Sequence, residues 1–239
     1  MLKDNSKKSI LFCGHGSNDI KYQNEFSWVV KYIAKKNKDC TFFKCFIEIN
    51  RPSITEFFKK FSSSENVKLF VFPMLIFKGN HLEIDIKQHI PKNKNIKLCK
   101  SIDLNNKVLE VYKNNIRINI KSSEIVIITI CSFSKNPNVL NELKTYTKML
   151  SENFSVIYYD SCYYGFEHKV FEKLKKVKNK QNIDLVIHPI FLFTGFLYKS
   201  VKKKFEYLKF KNIIVTKPLM KEPMIVDILS QKVAQFTNS

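Results

Sequence analysis

Two histidines stand where an imidazole could act on a ligand. His15 lies in Ile10-Leu11-Phe12-Cys13-Gly14-His15-Gly16-Ser17, where an apolar run of strand type delivers a histidine between two glycines. Glycine permits backbone angles closed to other residues, so the chain can turn sharply there and a bulky ligand can lie against it. His81 stands in a matching place after another apolar run, in Phe77-Lys78-Gly79-Asn80-His81. Two imidazoles displayed at adjacent strand ends point to a metal site or a proton-transfer site.

The elements that must position them alternate between strand and helix. Residues 9–14 read as a strand, and 20–36 as a helix with Phe26, Val29, Val30 and Ile33 on one face. A strand over 41–48, a helix over 52–61 and a strand over 67–73 follow, then a helix over roughly 81–90 and a short strand near 95–99. Short, continuous β-branched and aromatic runs are the mark of buried parallel strands. Alternation of this kind predicts an α/β fold, doubly wound, with helices on both faces of a parallel sheet.

The pattern is then written a second time. Ile125-Val126-Ile127-Ile128-Thr129-Ile130 repeats the first strand, and 136–150 repeats its helix. A shift of 117 places Ser17 on Ser134 and Glu25-Phe26 on Glu142-Leu143. A shift of 116 places Phe72-Pro73-Met74-Leu75-Ile76-Phe77-Lys78-Gly79 on His188-Pro189-Ile190-Phe191-Leu192-Phe193-Thr194-Gly195. Internal duplication predicts two similar lobes, 1–120 and 121–239, facing each other across a cleft. A connector helix is expected within 101–122 and a last helix over 223–236. By these offsets His15 falls on Ser132, Glu48 on Tyr164 and His81 on Leu197. A requirement of the fold would persist in both halves, so one retained set implies a single site, built on the first lobe.

The chain has 239 residues and a net charge of +20. Residues 1–120 hold 22 basic and 11 acidic groups, against 19 and 10 in the rest, so the excess is spread evenly and forms no basic tail. Only Arg51 and Arg117 among the basic residues are arginine, and solvated lysine faces account for most of the charge. A polyanionic small ligand fits the remainder better than nucleic acid, because no RNP-like, zinc-finger or basic-heptad pattern is present. The six cysteines form no Cys-x-x-Cys pair, which argues against a disulfide framework or a zinc knuckle. The first eight residues lack the apolar core of a secretory signal, and no apolar run approaches the roughly 18 residues of a membrane span, so a cytoplasmic protein is expected.

Three ordered blocks carry a resemblance. Gly14-His15-Gly16-Ser17, then Phe46-Ile47-Glu48-Ile49-Asn50-Arg51-Pro52-Ser53, then Pro73-Met74-Leu75-Ile76-Phe77-Lys78-Gly79-Asn80-His81 with Asp85-Ile86, resemble the sirohydrochlorin chelatases. These are the class II, ATP-independent enzymes that insert cobalt or ferrous iron into sirohydrochlorin, leading to cobalamin or siroheme. The likeness covers essentially the whole chain and matches the long, two-repeat form. It implies a chelatase-like fold, a divalent metal substrate (Co2+ or Fe2+), sirohydrochlorin as partner and no organic cofactor. The alternative within the same fold is a non-catalytic tetrapyrrole- or metal-binding protein.

The resemblance also implies roles. His15 and His81 are the expected metal ligands, since neutral imidazole suits Fe2+ and Co2+ and two protein ligands still permit transfer. Glu48 is expected to take the departing pyrrole protons or complete the coordination. Asp85, four residues past His81, would orient its imidazole from the same helix face. Gly14, Gly16, Ser17 and Gly79 are expected at the substrate, the Gly14 and Gly16 amides and Ser17 bonding a propionate. Sirohydrochlorin carries eight carboxylates, and Lys78, Lys199, Lys202, Lys203 and Arg51 lie near the expected rims. The ordinary alternatives are a Glu48–Arg51 ion pair, a solvated Asp85, surface positions for His89 and His168, and a core position for His188.

Overall fold

The apolar runs become the strands of two four-stranded parallel sheets in the computed structural model, which describes residues 7–61, 67–77, 86–100 and 102–238. In the first sheet β1 (Lys7–Gly14) lies between β2 (Cys40–Phe46) and β3 (Val67–Met74), and β4 (Ile96–Leu98) pairs with the far side of β3. In the second, β5 (Glu124–Cys131) lies between β6 (Val156–Tyr163) and β7 (Ile183–Pro189), with β8 (Asn212–Val215) beyond β7. The helices are α1 (Ile20–Lys36), α2 (Ile54–Lys60), α3 (Asn106–Asn119), α4 (Pro137–Ser151), α5 (His168–Lys175), α6 (Phe196–Phe205) and α7 (Pro223–Asn238).

Burial explains the sequence pattern. Ile10, Leu11, Phe12 and Cys13 of β1, and Val126, Ile127 and Ile128 of β5, have no exposed surface. A central strand covered on both faces needs apolar residues at every position, not every second one. On α1, Phe26, Val29, Val30 and Ile33 are buried as their spacing predicts, and the Asp19 carboxylate caps the helix by accepting the Lys21 N–H at 2.9 Å.

The duplication is visible in the register. Cys13 pairs with Pro73, and Ile130 with Pro189, so the offset is 117 along β1 and β5 and 116 along β3 and β7. The helix starts repeat as well. Ser17 Oγ accepts the Asp19 N–H and Ser134 Oγ accepts the Asn136 N–H, each at 3.1 Å. Two expectations need adjustment. The second strand stops at Phe46, leaving Glu48 in the following loop. Of the helix expected over 81–90, residues 81–85 lie outside the described residues, and Lys87–His89 forms a 3-10 turn.

Packing divides the chain differently from the repeat. One compact unit is Met1–Asp103 with Pro223–Ser239, and the other is Leu104–Glu222. The expected boundary at 120 follows the repeat, whereas the last helix of each repeat packs in the other unit. Helix α7 lies on α1, where Asp227 accepts hydrogen bonds from the Tyr32 hydroxyl at 2.7 Å and the Lys36 ammonium at 2.6 Å. The Phe236 ring meets Phe72 edge-on at 5.7 Å. Helix α3 buries Val108, Leu109, Tyr112 and Ile116 in the second unit, and the buried Asp184 carboxylate of β7 fastens its exit through the Lys121 and Ser122 amides.

His188 has no exposed surface and belongs to this second core. Its Nδ1 lies 2.6 Å from Thr216 Oγ1, its Nε2 3.2 Å from Tyr146 Oη, and its ring centroid 4.1 Å from that of Tyr112. Burial pulls its pKa down to about 3, so the folded chain holds it neutral. Above pH 6.5 both folded and unfolded states are neutral and nothing is lost. Between pH 6.5 and 3 only the unfolded chain takes up the proton, so stability falls as pH drops, by up to about 1.4 kcal/mol per pH unit. Urea denaturation at pH 7 and pH 4.5 is expected to show a loss of about 2.5 kcal/mol from this group. The His188→Gln variant is expected to flatten that slope, whatever its own starting stability.

Candidate functional site

The turns after β1 and β2 are pinned to each other. The Ile47 N–H donates to the Gly14 carbonyl and the Glu48 N–H to the His15 carbonyl, each at 2.9 Å. The Ser17 N–H donates to Asn50 Oδ1 at 2.7 Å, and the Asn50 N–H closes the second turn on the Glu48 carbonyl at 2.6 Å. Ile49, between them, takes a left-handed φ of 64°. His15 and Glu48 are thus neighbours through their backbones, His15 half-buried and Glu48 exposed.

The two glycines are required for different reasons. A Cβ on Gly14 would meet the Tyr22 hydroxyl at 2.9 Å and the Phe26 ring at 3.3 Å, so this position lets α1 close under the turn. Gly16 has φ +104°, and a Cβ there would lie 2.0 Å from the Glu48 carbonyl oxygen. No side chain fits, and backbone leaves nothing to move aside. The Gly16 N–H donates to Tyr22 Oη at 3.2 Å. Burial pushes the Tyr22 phenol up to about 12, so it stays protonated through the neutral range.

These bonds engage the Gly16 and Ser17 amides inside the protein. His15 and Ser17 are half-buried, and the Ser17 oxygen accepts from the Asp19 N–H, which leaves its O–H as a donor. Arg51 pairs with Glu56 at 2.9 Å, and Glu56 completes a capping box with Ser53 at the start of α2. Tyr22 and Asn50, which organise the turns, were not among the residues singled out from sequence. Tyr22 could have been, since it lies four residues before Phe26 on the buried face of α1. Asn50, a short polar residue in a loop, gives no comparable signal.

Lys78, Gly79, His81 and Asp85 lie outside the described residues. Among the described residues, no three His, Cys, Asp or Glu side chains are grouped so as to hold a metal ion. His89 and His168 are exposed, and Lys199, Lys202 and Lys203 are exposed on α6.

The second unit keeps the turns and lacks the ionisable groups. The Tyr164 N–H donates to the Cys131 carbonyl at 2.7 Å, the counterpart of the Ile47–Gly14 bond. Glu48 therefore corresponds to Gly165 and not to Tyr164, because the offset stays at 117 across β6. Ser132 is the counterpart of His15 and Phe133 that of Gly16.

A protein 23% identical over 223 residues, covering 86% of this chain and 71% of its own length, is the sirohydrochlorin cobaltochelatase of Priestia megaterium. Among solved structures, SirB from Bacillus subtilis with Fe3+ superposes with a TM-score of 0.76 at 22% identity, over 96% of this chain and 95% of that one. The cobalt complex of the sirohydrochlorin chelatase SirB from Bacillus subtilis subspecies spizizenii gives 0.72 at 20% identity, over 96% and 94%. At these identities the two structures speak for the fold. No helix among the described residues is long and apolar enough to cross a membrane. The CbiX family model matches residues 9–119 and again 127–236, so the chain belongs to the CbiX family, with both repeats present.

Proposed function

We propose that this protein is an ATP-independent sirohydrochlorin chelatase that inserts Co2+ or Fe2+ into the macrocycle. The observation that carries the reading is the asymmetry of the duplicated turns. His15 and Glu48 are held together by the Glu48–His15 backbone bond in the first unit, and Ser132 and Gly165 take their places in the second. Family membership and the cobaltochelatase relative supply the substrate class.

Insertion exchanges two pyrrole protons for one dication, M2+ plus the free macrocycle giving the metallated macrocycle plus two H+. The chain must hold the metal weakly, accept protons and position the ring. His15 at the turn is the proposed first metal ligand, and His81, outside the described residues, is the proposed second. Two imidazoles bind Fe2+ and Co2+ with adjacent strengths, so the ligand set does not itself favour either metal. Exposed Glu48 is the proton acceptor, able to pass each proton to water. The expected approach of the ring at Gly14 and Gly16 does not fit, because Tyr22, Phe26 and the Glu48 carbonyl fill the space beside them; that role is proposed for Gly79 alone, with the Ser17 O–H available to a propionate. Asp85 is proposed to orient His81.

Purified protein mixed with sirohydrochlorin and Co2+ or Fe2+ is expected to accelerate the absorbance change of insertion over the uncatalysed rate. His15→Ala and His81→Ala are each expected to lower kcat/KM at least about a hundredfold, the usual cost of removing a group that acts at the reacting centre. Unchanged insertion in both variants would overturn the assignment, and saturable binding without acceleration in the parent would mark a carrier. Gly16→Ala tests the pinned turns. It is expected to cost about 1–3 kcal/mol of stability, the scale of local backbone strain, and to lower kcat tenfold or more with the far-UV circular dichroism retained.

A further inference from the structure

The segment that leads from α5 into β7 repeats the one that leads from α2 into β3, with its charge altered. At the offset of 116, Lys175-Lys176-Val177-Lys178-Asn179-Lys180-Gln181-Asn182 falls on Lys59-Lys60-Phe61-Ser62-Ser63-Ser64-Glu65-Asn66. The leading lysine pair, the apolar third residue and the closing asparagine are common to both. Lys178, Lys180 and Gln181 stand where the first repeat has Ser62, Ser64 and Glu65. Eight residues with two lysines and one carboxylate thus correspond to eight with four lysines and none. A general enrichment in lysine would act on both copies alike, so the first repeat is an internal control for composition.

The fold ties these lysines to a second lysine-bearing loop. Asn179 takes a left-handed φ of 53°, and its carbonyl accepts the Asn182 N–H at 2.9 Å, a tight turn in front of β7. The Lys180 carbonyl accepts the Lys211 N–H at 2.9 Å, which joins this turn to the loop between α6 and β8. The Lys180 ammonium donates to the Lys175 carbonyl at 3.2 Å and lies 5.9 Å from the Phe210 ring centroid, so it braces the two loops. Lys175 pairs with Glu172 at 2.6 Å. Lys176, Lys178, Lys209 and Lys211 are exposed, as are the amides of Asn179, Gln181 and Asn182. Residues 175–182 and 206–211 hold six lysines against the single carboxylate of Glu206. Asp184, just beyond, is buried and engaged by the Lys121 and Ser122 amides. The loops precede β7 and β8, so a seven-residue strand of about 20 Å separates them from the carboxyl edge of their own sheet.

We infer that Lys176, Lys178, Lys209 and Lys211 form a surface that binds the phosphate backbone of single-stranded nucleic acid without reading its sequence. Ammonium groups and side-chain amides are the donors that phosphates recruit. RNP-like, zinc-finger and basic-heptad patterns mark dedicated recognition modules, and none is needed to hold phosphates. The surface does not suit a protein partner, because protein interfaces are depleted in lysine and built around buried apolar anchors. Nor does it suit a bilayer, since residues 175–182 expose no large apolar side chain to insert. The second loop does carry Tyr207, 76% exposed, a ring of the kind on which an unstacked base lies. The inference is independent of the chelatase reading and gives the second repeat a partner at the edge opposite its turns.

The test is fluorescence anisotropy of a labelled oligouridylate of about 20 nucleotides, longer than the usual site of one binding fold, titrated with the full chain over a range of salt. The variant Lys176→Gln/Lys178→Gln/Lys209→Gln/Lys211→Gln is compared with a control of equal charge, Lys31→Gln/Lys35→Gln/Lys38→Gln/Lys59→Gln, whose lysines are also exposed. Each phosphate contact contributes about 0.7 to the slope of log K against log salt. The first variant is therefore expected to lower that slope by about 2–3 and to raise Kd at least about tenfold near 0.1 M salt. The control is expected to change Kd less than about twofold, and both variants to keep the parent's Tm. Lys178→Ser, which restores the first repeat's residue, is expected to lower the slope by about 0.7 alone. Equal losses in the two quadruple variants would assign binding to overall charge and overturn the inference, as would a parent that does not bind at 0.1 M salt. Displacement of the RNA by polyglutamate at equal charge would overturn it in favour of an acidic protein segment.

Discussion

The distance between Gly16 and the carbonyl of Glu48 governs the first unit's carboxyl edge. The two turns approach so closely that a single methyl would occupy the space of the carbonyl oxygen. The proposed site depends on that approach. It lets the Glu48 amide reach the His15 carbonyl and the Ser17 amide reach Asn50, and so fixes the backbones of His15 and Glu48 against each other. A histidine on a loose loop would lose much of its advantage to disorder, because orienting a group in advance is a large part of what an active site contributes. Tyr22 completes the arrangement from below. Its hydroxyl receives the Gly16 amide and, with the Phe26 ring, fills the space that Gly14 leaves open.

Duplication lets fold requirements be told apart from function. What recurs in both repeats serves the chain: the strand order, the paired prolines at 73 and 189, the hydroxyl of Ser17 or Ser134 in front of the helix cap, and the backbone bond from the second turn to the end of the central strand. What appears once at the exposed turns, as His15 and Glu48 do, is where the proposed role toward a ligand lies. On that criterion the Ser17 Oγ bond to Asp19 is structural, since Ser134 makes its equivalent beside no histidine, and any contact from Ser17 to substrate must use its remaining O–H. His188 illustrates the converse. It is ionisable in sequence yet lies in the core, held neutral between Thr216 and Tyr146.

Much of the fold was legible because burial leaves a direct trace in residue type. Continuous runs such as Ile10–Cys13, and the face set by Phe26, Val29, Val30 and Ile33, mark strands and helices covered by apolar neighbours. The turns were legible only in part. Glycine on both sides of His15 signalled an unusual backbone, but not that Gly16 faces the Glu48 carbonyl, because that contact joins segments more than 30 residues apart. The strand read through residue 48 ends at Phe46 for a related reason: Ile47 and Ile49 look like strand residues, and the reversal of Ile49 to positive φ is imposed by the turn-to-turn bonds. The exposure of Phe133, Phe166 and Phe196 escaped notice because exposed and buried phenylalanines are identical in a sequence of 21 of them.

The exchange of terminal helices explains why a repeat without the histidine must remain. Helix α7, the last of the second repeat, buries Ile225, Val226, Leu229 and Val233 in the unit that carries His15, and its Asp227 ties Tyr32 and Lys36 of α1. Helix α1 in turn supplies Tyr22, the support of the Gly16 turn. Removing the cover from four apolar side chains at about 1.5–3 kcal/mol each would approach the whole stability of a typical domain. The first repeat therefore cannot discard the second and keep its site. The second is held by packing at α7 and by its own core at α3, while its carboxyl edge is released from the first repeat's chemistry. That release permits side chains such as Phe133 at the position where Gly16 is obligatory in the other half.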